Sequence, residues 1–365
     1  MSKVVLFINS LSIGGAERQA CILADGLVER GYDVTLTTYG DVSDFYTYNP
    51  KVHRNQIAPG GGKLLKMIFI WRYFLTVKTD WVISFTQRSS SFCLRPLMFR
   101  SRKKIRVIAS ERNTTIGEPG TIEKQLMRSL YHRVDYIVPN SFTQREHIIK
   151  AKPQYKDKTI AITNYTDTNK YKPTPLPGGD LMRIGVFSRY SEQKNCVRFV
   201  EVVKQLKDHT SQRFVIDWYG DRYIKDTQLN PMFERMSQKI QEYGLDDCIK
   251  LHDMIRDVVG EMVKFDACCL PSLYEGFSNS ISEAICCGKP CIVSDVADNG
   301  VMVKDGVNGF LFDPEIIESM VSAFTRFFHL TKEERQNMGK ESRLRAEQLF
   351  DLDAFIQKYV NLIES

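Results

Sequence analysis

The sequence predicts an α/β protein built from two doubly wound, parallel-sheet domains facing each other across a cleft. Three observations carry that prediction. Short apolar runs of strand length alternate with amphipathic runs of helix length, the pattern of parallel sheets with helical crossovers. A proline- and glycine-rich stretch, Tyr171-Lys172-Pro173-Thr174-Pro175-Leu176-Pro177-Gly178-Gly179, interrupts the alternation, which then starts again. The length of 365 residues suffices for two domains of ordinary size.

The elements follow in order. Residues 3–9 read as a strand, and the loop Ser10-Leu11-Ser12-Ile13-Gly14-Gly15 follows it. A helix comes next, with Ala20, Leu23, Leu27 and Val28 on one stripe and Gly31 as its stop. Residues 34–38, 81–85, 106–110 and 136–139 supply further strands of the first half. In the second half 183–188 is a strand and 195–206 a helix. A strand over 214–219 ends at Gly220, and a helix over 232–243 is closed by Gly244. Strands are expected at 250–252, 267–270 and 291–294, and a last helix within 352–363.

Composition narrows the class. A hydrophobic share of 43% with 26% charged residues calls for a packed core rather than disorder. Nothing at the start resembles a signal peptide, and the most apolar stretch, Leu64 to Val77, is short and broken by Lys66 and Arg72. The nine cysteines include no Cys-x-x-Cys pair, so small buried residues in a reducing compartment are expected. The six histidines form no metal-spaced pair, and Asp351-Leu352-Asp353 before the last helix reads as a cap rather than a metal motif.

Charge is uneven. Residues 1–170 carry 26 Lys/Arg against 14 Asp/Glu, and residues 171–365 carry 24 against 30. Basic residues gather in Lys63 to Lys78 and Arg95 to Arg106, interleaved with apolar side chains. Such a surface suits anionic lipid headgroups, and no nucleic-acid-binding motif accompanies it.

The segment Glu275-Gly276-Phe277-Ser278-Asn279-Ser280-Ile281-Ser282-Glu283-Ala284 is the most informative in the chain. It places one carboxylate on a loop and a second in the first turn of the helix that follows, with free helical N–H groups between them. That arrangement suits a ligand with hydroxyls at one end and phosphates in the middle. Ser280-Ile281-Ser282-Glu283 also has the form of a capping box, which accounts for Glu283 but not for Glu275. Arg189 and Lys194 follow the first strand of the second domain, where open α/β sheets bind ligands, and could neutralise a diphosphate. Gly14 and Gly15 allow close approach of a ligand at a helix start.

Together these residues resemble the retaining GT-B glycosyltransferases of family 4. The similarity runs through Ser12-Ile13-Gly14-Gly15-Ala16-Glu17-Arg18, the Glu275 to Glu283 segment and Asp305-Gly306-Val307-Asn308-Gly309-Phe310-Leu311. The crossing Ile162-Thr163-Asn164-Tyr165-Thr166-Asp167 shares it. The resemblance implies two Rossmann-like domains: an acceptor-binding one over 1–170 and a nucleotide-sugar-binding one over 171–349. A helix from about 350 to 365 would pack back on the first domain. It implies Glu275, Arg189 and Lys194 as catalytic groups, and Glu283 on the ribose. Phe277, Ser278, Asn279, Ser280, Gly14, Gly15 and Gly220 would surround the donor.

The family needs no metal or other cofactor. The implied partners are a nucleotide-sugar, by default UDP-linked, and a glycan or polyprenyl-linked acceptor. An anionic membrane surface on the cytoplasmic side joins them, in bacterial surface polysaccharide synthesis. The histidine common after a middle strand of the first domain is missing from Ala109-Ser110-Glu111-Arg112-Asn113, so Glu111, Arg112 and Asn113 are the acceptor-side candidates. Ser278 stands where proline is frequent. A GT-B sugar-nucleotide epimerase and a catalytically weak nucleotide-sugar-binding subunit are the alternatives.

Overall fold

A computed structural model describes residues 2–12, 14–40, 43–57, 60, 62–99, 105–112, 128, 130–177, 179–224 and 227–365. Asn113 lies outside the described residues, as does most of the basic run after Phe99. The chain divides into two compact units, Met1–Tyr165 with Leu352–Ser365, and Thr166–Asp351. The division falls shortly before the proline-rich stretch that suggested it in the sequence.

The first unit is built on strands β1 (Lys3–Ile8), β2 (Asp33–Thr38), β3 (His53–Gln56), β4 (Trp81–Phe85), β5 (Arg106–Glu111) and β6 (Tyr136–Pro139). They lie in the order β3-β2-β1-β4-β5-β6, all parallel. Val4 to Ile8 and Trp81 to Phe85 are buried, because helices cover both faces of a parallel sheet and leave no wet side. β3 reads His-Arg-Asn-Gln and was not expected as a strand. It is the sheet edge, half-exposed, and needs no apolar run.

Helix Leu352–Glu364 belongs to this unit. It packs on helix Gly15–Glu29 at Gly26, where a Cβ would stand 2.4 Å from Ile356 Cδ1. Asp353 pairs with Arg30 at 2.7 Å, so that carboxylate is engaged in helix docking.

The second unit repeats the plan. Its strands are β7 (Met182–Phe187), β8 (Phe214–Gly220), the hairpin pair β9 (Tyr223–Ile224) and β10 (Gln228–Leu229), β11 (Ile249–Asp253), β12 (Ala267–Leu270), β13 (Cys291–Ser294) and β14 (Gly309–Phe312). The main sheet runs β11-β8-β7-β12-β13-β14, again parallel throughout. With the hairpin set aside, both sheets follow the doubly wound order 3-2-1-4-5-6. Helix Cys196–His209 turns Phe199, Val200, Val203 and Leu206 onto a core with Trp218 and Phe324. All nine cysteines are free and buried, and burial pushes the Cys268 thiol up to about 12.

Candidate functional site

In each sheet the crossovers reverse direction between the first and fourth strands, at β1/β4 and β7/β12. Loops leaving those strand ends diverge and open a crevice there. In the second unit the two loops are Ser188 to Asn195, after β7, and Pro271 to Ser278, after β12. Lys194 and Glu275 therefore meet because of the strand order, although 81 residues separate them.

Hydrogen bonds hold the two loops together. Leu273 N donates to Gln193 O at 2.8 Å, and Gln193 Nε2 donates to Tyr274 O at 2.9 Å. Lys194 Nζ forms an ion pair with Glu275 Oε1, with side-chain exposures of only 13% and 9%. Tyr190 anchors the first loop from below. Its hydroxyl lies 2.8 Å from Trp218 O and 2.7 Å from His252 O. Gly220 is required here by space: a Cβ would stand 2.5 Å from the Ser188 carbonyl oxygen. Its evident role is to let the loop cross the end of β8.

Arg189 is exposed and makes no ion pair or side-chain hydrogen bond among the described residues. It lines a cavity of about 590 Å³ with Glu192, Gln193, Asp221, Tyr223 and Tyr274. The cavity lies on the hairpin side of the loop, and Lys194, Glu275 and Glu283 are not among its lining residues. Three buried hydroxyls at these strand ends, Ser188, Ser191 and Ser272, have no hydrogen-bond partner. Unpaired buried hydroxyls are costly, so a ligand or water is the natural complement.

Helix Asn279–Cys286 starts at Ser278, whose side chain makes no cap. Ser278 Oγ instead lies 3.3 Å from Ser280 Oγ, and Ser282 Oγ donates to Asn279 O at 2.8 Å. The helix thus begins before the position a Ser280–Glu283 capping box requires. Glu283 is its fifth residue, past the first turn, and the box is not formed. A capping box does occur at Thr331 and Glu334, unforeseen in the sequence reading. The helix ends as its sequence requires: Gly288 adopts φ +67°, and Lys289 N donates to Ala284 O at 3.0 Å, a Schellman closure. An uncapped N-terminus pointing at the crevice carries the positive end of the helix dipole.

Phe277 is placed otherwise than expected. Its ring is buried edge-to-face on Phe350, centroids 6.1 Å apart, so it supports the turn from the core side rather than surrounding a sugar.

In the first unit, Gly14 and Gly15 stand at the end of β1 as helix Gly15–Glu29 begins. Gly14 is fully extended, and its N–H and C=O both engage the Tyr46 hydroxyl, at 3.3 and 3.0 Å. A Cβ on Gly14 would stand 2.2 Å from the Glu17 carboxylate. Burial pushes that carboxyl up. Across the same crevice Thr86, after β4, adopts φ 80° and ψ 151°, a region that belongs to glycine. Backbone strain of this kind gathers at functional sites, and no local sequence signal announces it.

Two acceptor-side candidates have structural occupations. Glu111 is fully buried and accepts from Arg128 at 2.9 and 2.6 Å and from Gln144 at 3.0 Å. Burial raises its carboxyl, but Arg128 outweighs that and holds it below its ordinary value. Arg112 donates to Ser110 Oγ at 2.9 Å, Asn164 Oδ1 at 2.9 Å and the Tyr359 hydroxyl. It ties β5 to the C-terminal helix. Both side chains are buried and bonded inside the unit, occupations that stand against a direct acceptor contact.

Two family profiles match the chain: Glycosyltransferase Family 4 over residues 13–170 and Glycosyl transferases group 1 over residues 168–345. Among named relatives is a Campylobacter jejuni N-acetylgalactosamine-N,N'-diacetylbacillosaminyl-diphospho-undecaprenol 4-alpha-N-acetylgalactosaminyltransferase. It is 24% identical over 81% of this chain and 81% of its own length. An Escherichia coli UDP-Gal:alpha-D-GlcNAc-diphosphoundecaprenol alpha-1,3-galactosyltransferase is 28% identical, over 46% of this chain and only 45% of its own length.

Among solved structures, Anabaena HepE in complex with UDP and glucose superposes with a TM-score of 0.81 at 19% identity, covering 100% of both chains. A sucrose-phosphate synthase from Thermosynechococcus elongatus gives 0.82 at 16%, covering 100% of this chain and 98% of its own. At such identities these likenesses bear on the fold. Strand order, switch-point loops and both profiles agree: the chain belongs to the GT-B glycosyltransferases of the family 4 type.

Proposed function

We propose that this glycosyltransferase moves a sugar from a UDP-sugar to a lipid-linked glycan acceptor, with retention at the anomeric carbon. The observation that carries the reading is the Lys194–Glu275 pair beside an uncapped helix start at the β7/β12 crevice, with Arg189 on the same loop after β7 as Lys194. Arg189 and the N–H groups of helix Asn279–Cys286 would take the diphosphate, Glu283 the ribose hydroxyls, and Glu275 the donor sugar. Lys194 stands between two tasks, since its ammonium neutralises Glu275 while no phosphate is near.

In the reaction the bond from the anomeric carbon to phosphate oxygen breaks and a bond to the acceptor oxygen forms. The acceptor proton passes to a donor phosphate oxygen. Arg189, Lys194 and the helix dipole would stabilise the charge growing on the departing diphosphate, an electrostatic contribution. Arg189 and Lys194 would neutralise the phosphates themselves, which supports a reaction without a divalent cation. A lipid-borne acceptor is supported by the two relatives named for diphosphoundecaprenol substrates. It would place the enzyme on the cytoplasmic face of a membrane, in surface polysaccharide synthesis. Among the described residues no helix is long and apolar enough to cross one.

A thermal-shift screen of nucleotide-sugars tests the donor, because a bound ligand stabilises the folded state. Sugar transfer by Arg189→Ala and Glu275→Ala should then fall at least about 100-fold, the scale of losing one transition-state donor. EDTA should leave the rate unchanged. Full activity in both variants would remove the site assignment.

A further inference from the structure

The second unit begins and ends beside the turn Glu275 to Ser278 and the helix that turn starts. Thr166 is the first residue of the unit and Asp351 its last. Thr166 is buried, and its Oγ1 lies 2.8 Å from Ser282 Oγ. Ser282 gives its own hydroxyl proton to Asn279 O, at 2.8 Å, so between the two hydroxyls Thr166 is the donor. A relay thus runs from the entry residue through Ser282 to the carbonyl of the first helical residue. At the exit, Phe350 sets its ring edge-to-face on Phe277, the residue before the helix N-cap Ser278.

Helix Asn279–Cys286 needs such support. It has eight residues, about two turns, and Ser278 gives it no side-chain cap. A helix so short is not stable alone in water, so the contacts around it set its direction. The entry segment follows it to its far end. Arg343 Nη1 lies 2.9 Å from Thr168 O and Tyr171 O and 3.0 Å from Cys286 O. Thr174 N donates to Cys287 O at 3.2 Å. The segment from Thr166 to Thr174 is therefore bonded to both ends of the helix, like a splint.

We propose that Thr166 and Phe350 are positioning residues for the nucleotide diphosphate, holding the turn and the helix start without touching the ligand. This role rests on the reading of that helix start as the donor's phosphate site. Binding groups must be held to within about 0.5 Å, and side chains locked by packing and hydrogen bonds do so. The Thr166 hydroxyl fixes Ser282 and, through it, the Asn279 peptide. Phe350 fixes the turn from the opposite end of the unit's sequence.

Calorimetric titration with UDP, beside thermal unfolding of the ligand-free proteins, tests the proposal. Thr166→Val keeps the shape and removes the hydroxyl. Its UDP affinity should fall about threefold to tenfold, the scale of one hydrogen bond. Thr166→Ser keeps the hydroxyl and should retain wild-type affinity. Phe350→Leu should lose a similar factor of about threefold to tenfold, the scale of one aromatic pair. Ile240→Val is the control for lost stability. Ile240 is buried in a core cluster that includes neither Phe277 nor Ser282, and its truncation is of comparable cost. That variant should melt lower and bind UDP as the wild type does.

Wild-type affinity in Thr166→Val and Phe350→Leu overturns the proposal. So does an equal loss in Ile240→Val, which would mark a general response to destabilisation. A loss that Thr166→Ser shares with Thr166→Val also counts against it, because the hydroxyl would then not be the cause. A wild type that binds no UDP removes the donor reading, and the role of both residues with it. UDP binding by the wild type with unaffected variants removes their role alone.

Discussion

Replacing Glu275 by alanine leaves the Lys194 ammonium, 13% exposed, without its partner. Breaking a buried pair from one side costs about 3–5 kcal/mol, and the remaining solvent access of Lys194 argues for the lower end, about 3 kcal/mol. For a unit the size of Thr166–Asp351, each kcal/mol moves the melting temperature by about 2–4 °C, so a fall of about 6–12 °C is expected. Lys194→Ala should cost a similar amount by orphaning the carboxylate. The double change Lys194→Met/Glu275→Leu removes both charges at similar volume and should recover most of the loss, because desolvation is then no longer opposed.

Ligand binding should split the two single variants. Glu275→Ala frees Lys194 for phosphate, so UDP should bind as well as before or better while sugar transfer collapses. Lys194→Ala should weaken UDP itself. The assay is thermal unfolding of all four proteins with and without UDP, beside their transfer rates. Additive single and double changes would show that the pair does not form in solution. Equal loss of UDP affinity in both single variants would refute the exchange of partners by Lys194.

Gly220→Ala should cost about 1–3 kcal/mol and blunt the UDP-induced thermal shift, because its Cβ would displace Ser188 and the loop bearing Arg189 and Lys194. Unchanged stability and UDP response would deny the close approach. Arg112→Ala should destabilise by about 1–3 kcal/mol, leaving the groups it bonds around β5 without a donor, and spare UDP binding. Lost UDP binding at intact stability would reverse that assignment. Glu111→Gln tests the buried pair with Arg128 by its pH dependence. The folded carboxyl is held below its ordinary value, so its contribution is present above the ordinary carboxylate range and lost as pH falls through the folded value. Wild type should exceed the variant in stability at neutral pH, with the gap closing in acid; a constant gap would contradict the pairing.

Much of the fold was legible because two-sided burial leaves a plain mark. Val4 to Ile8 are apolar without interruption and Trp81 to Phe85 are broken only by the buried Ser84, as suits central parallel strands. β3 was invisible because an edge strand of His, Arg, Asn and Gln has no such mark. The Ser280–Glu283 box misled because a capping motif is a local preference. Here the helix starts earlier, with Thr166 Oγ1 lying 2.8 Å from Ser282 Oγ. Glu111 and Arg112 were legible as acceptor-side candidates after a middle strand, but not as side chains bonded inside the unit. Their partners lie as far away as Tyr359, and pairing at such separations is decided only when the chain closes on itself.

The doubly wound class, the family segment from Glu275 to Glu283 and the basic bias of the first half can all be read from residue order alone. These depend on residue type and short spacing, which periodicity and local chemistry expose. That Lys194 neutralises Glu275, that Phe277 turns inward onto Phe350, and that the apolar face of Lys63–Thr76 is left to the solvent are consequences of packing. Each of these depends on which surfaces the strand order brings together. The free energy of a charge or an apolar side chain is set by the neighbours it receives, not by its place in the chain.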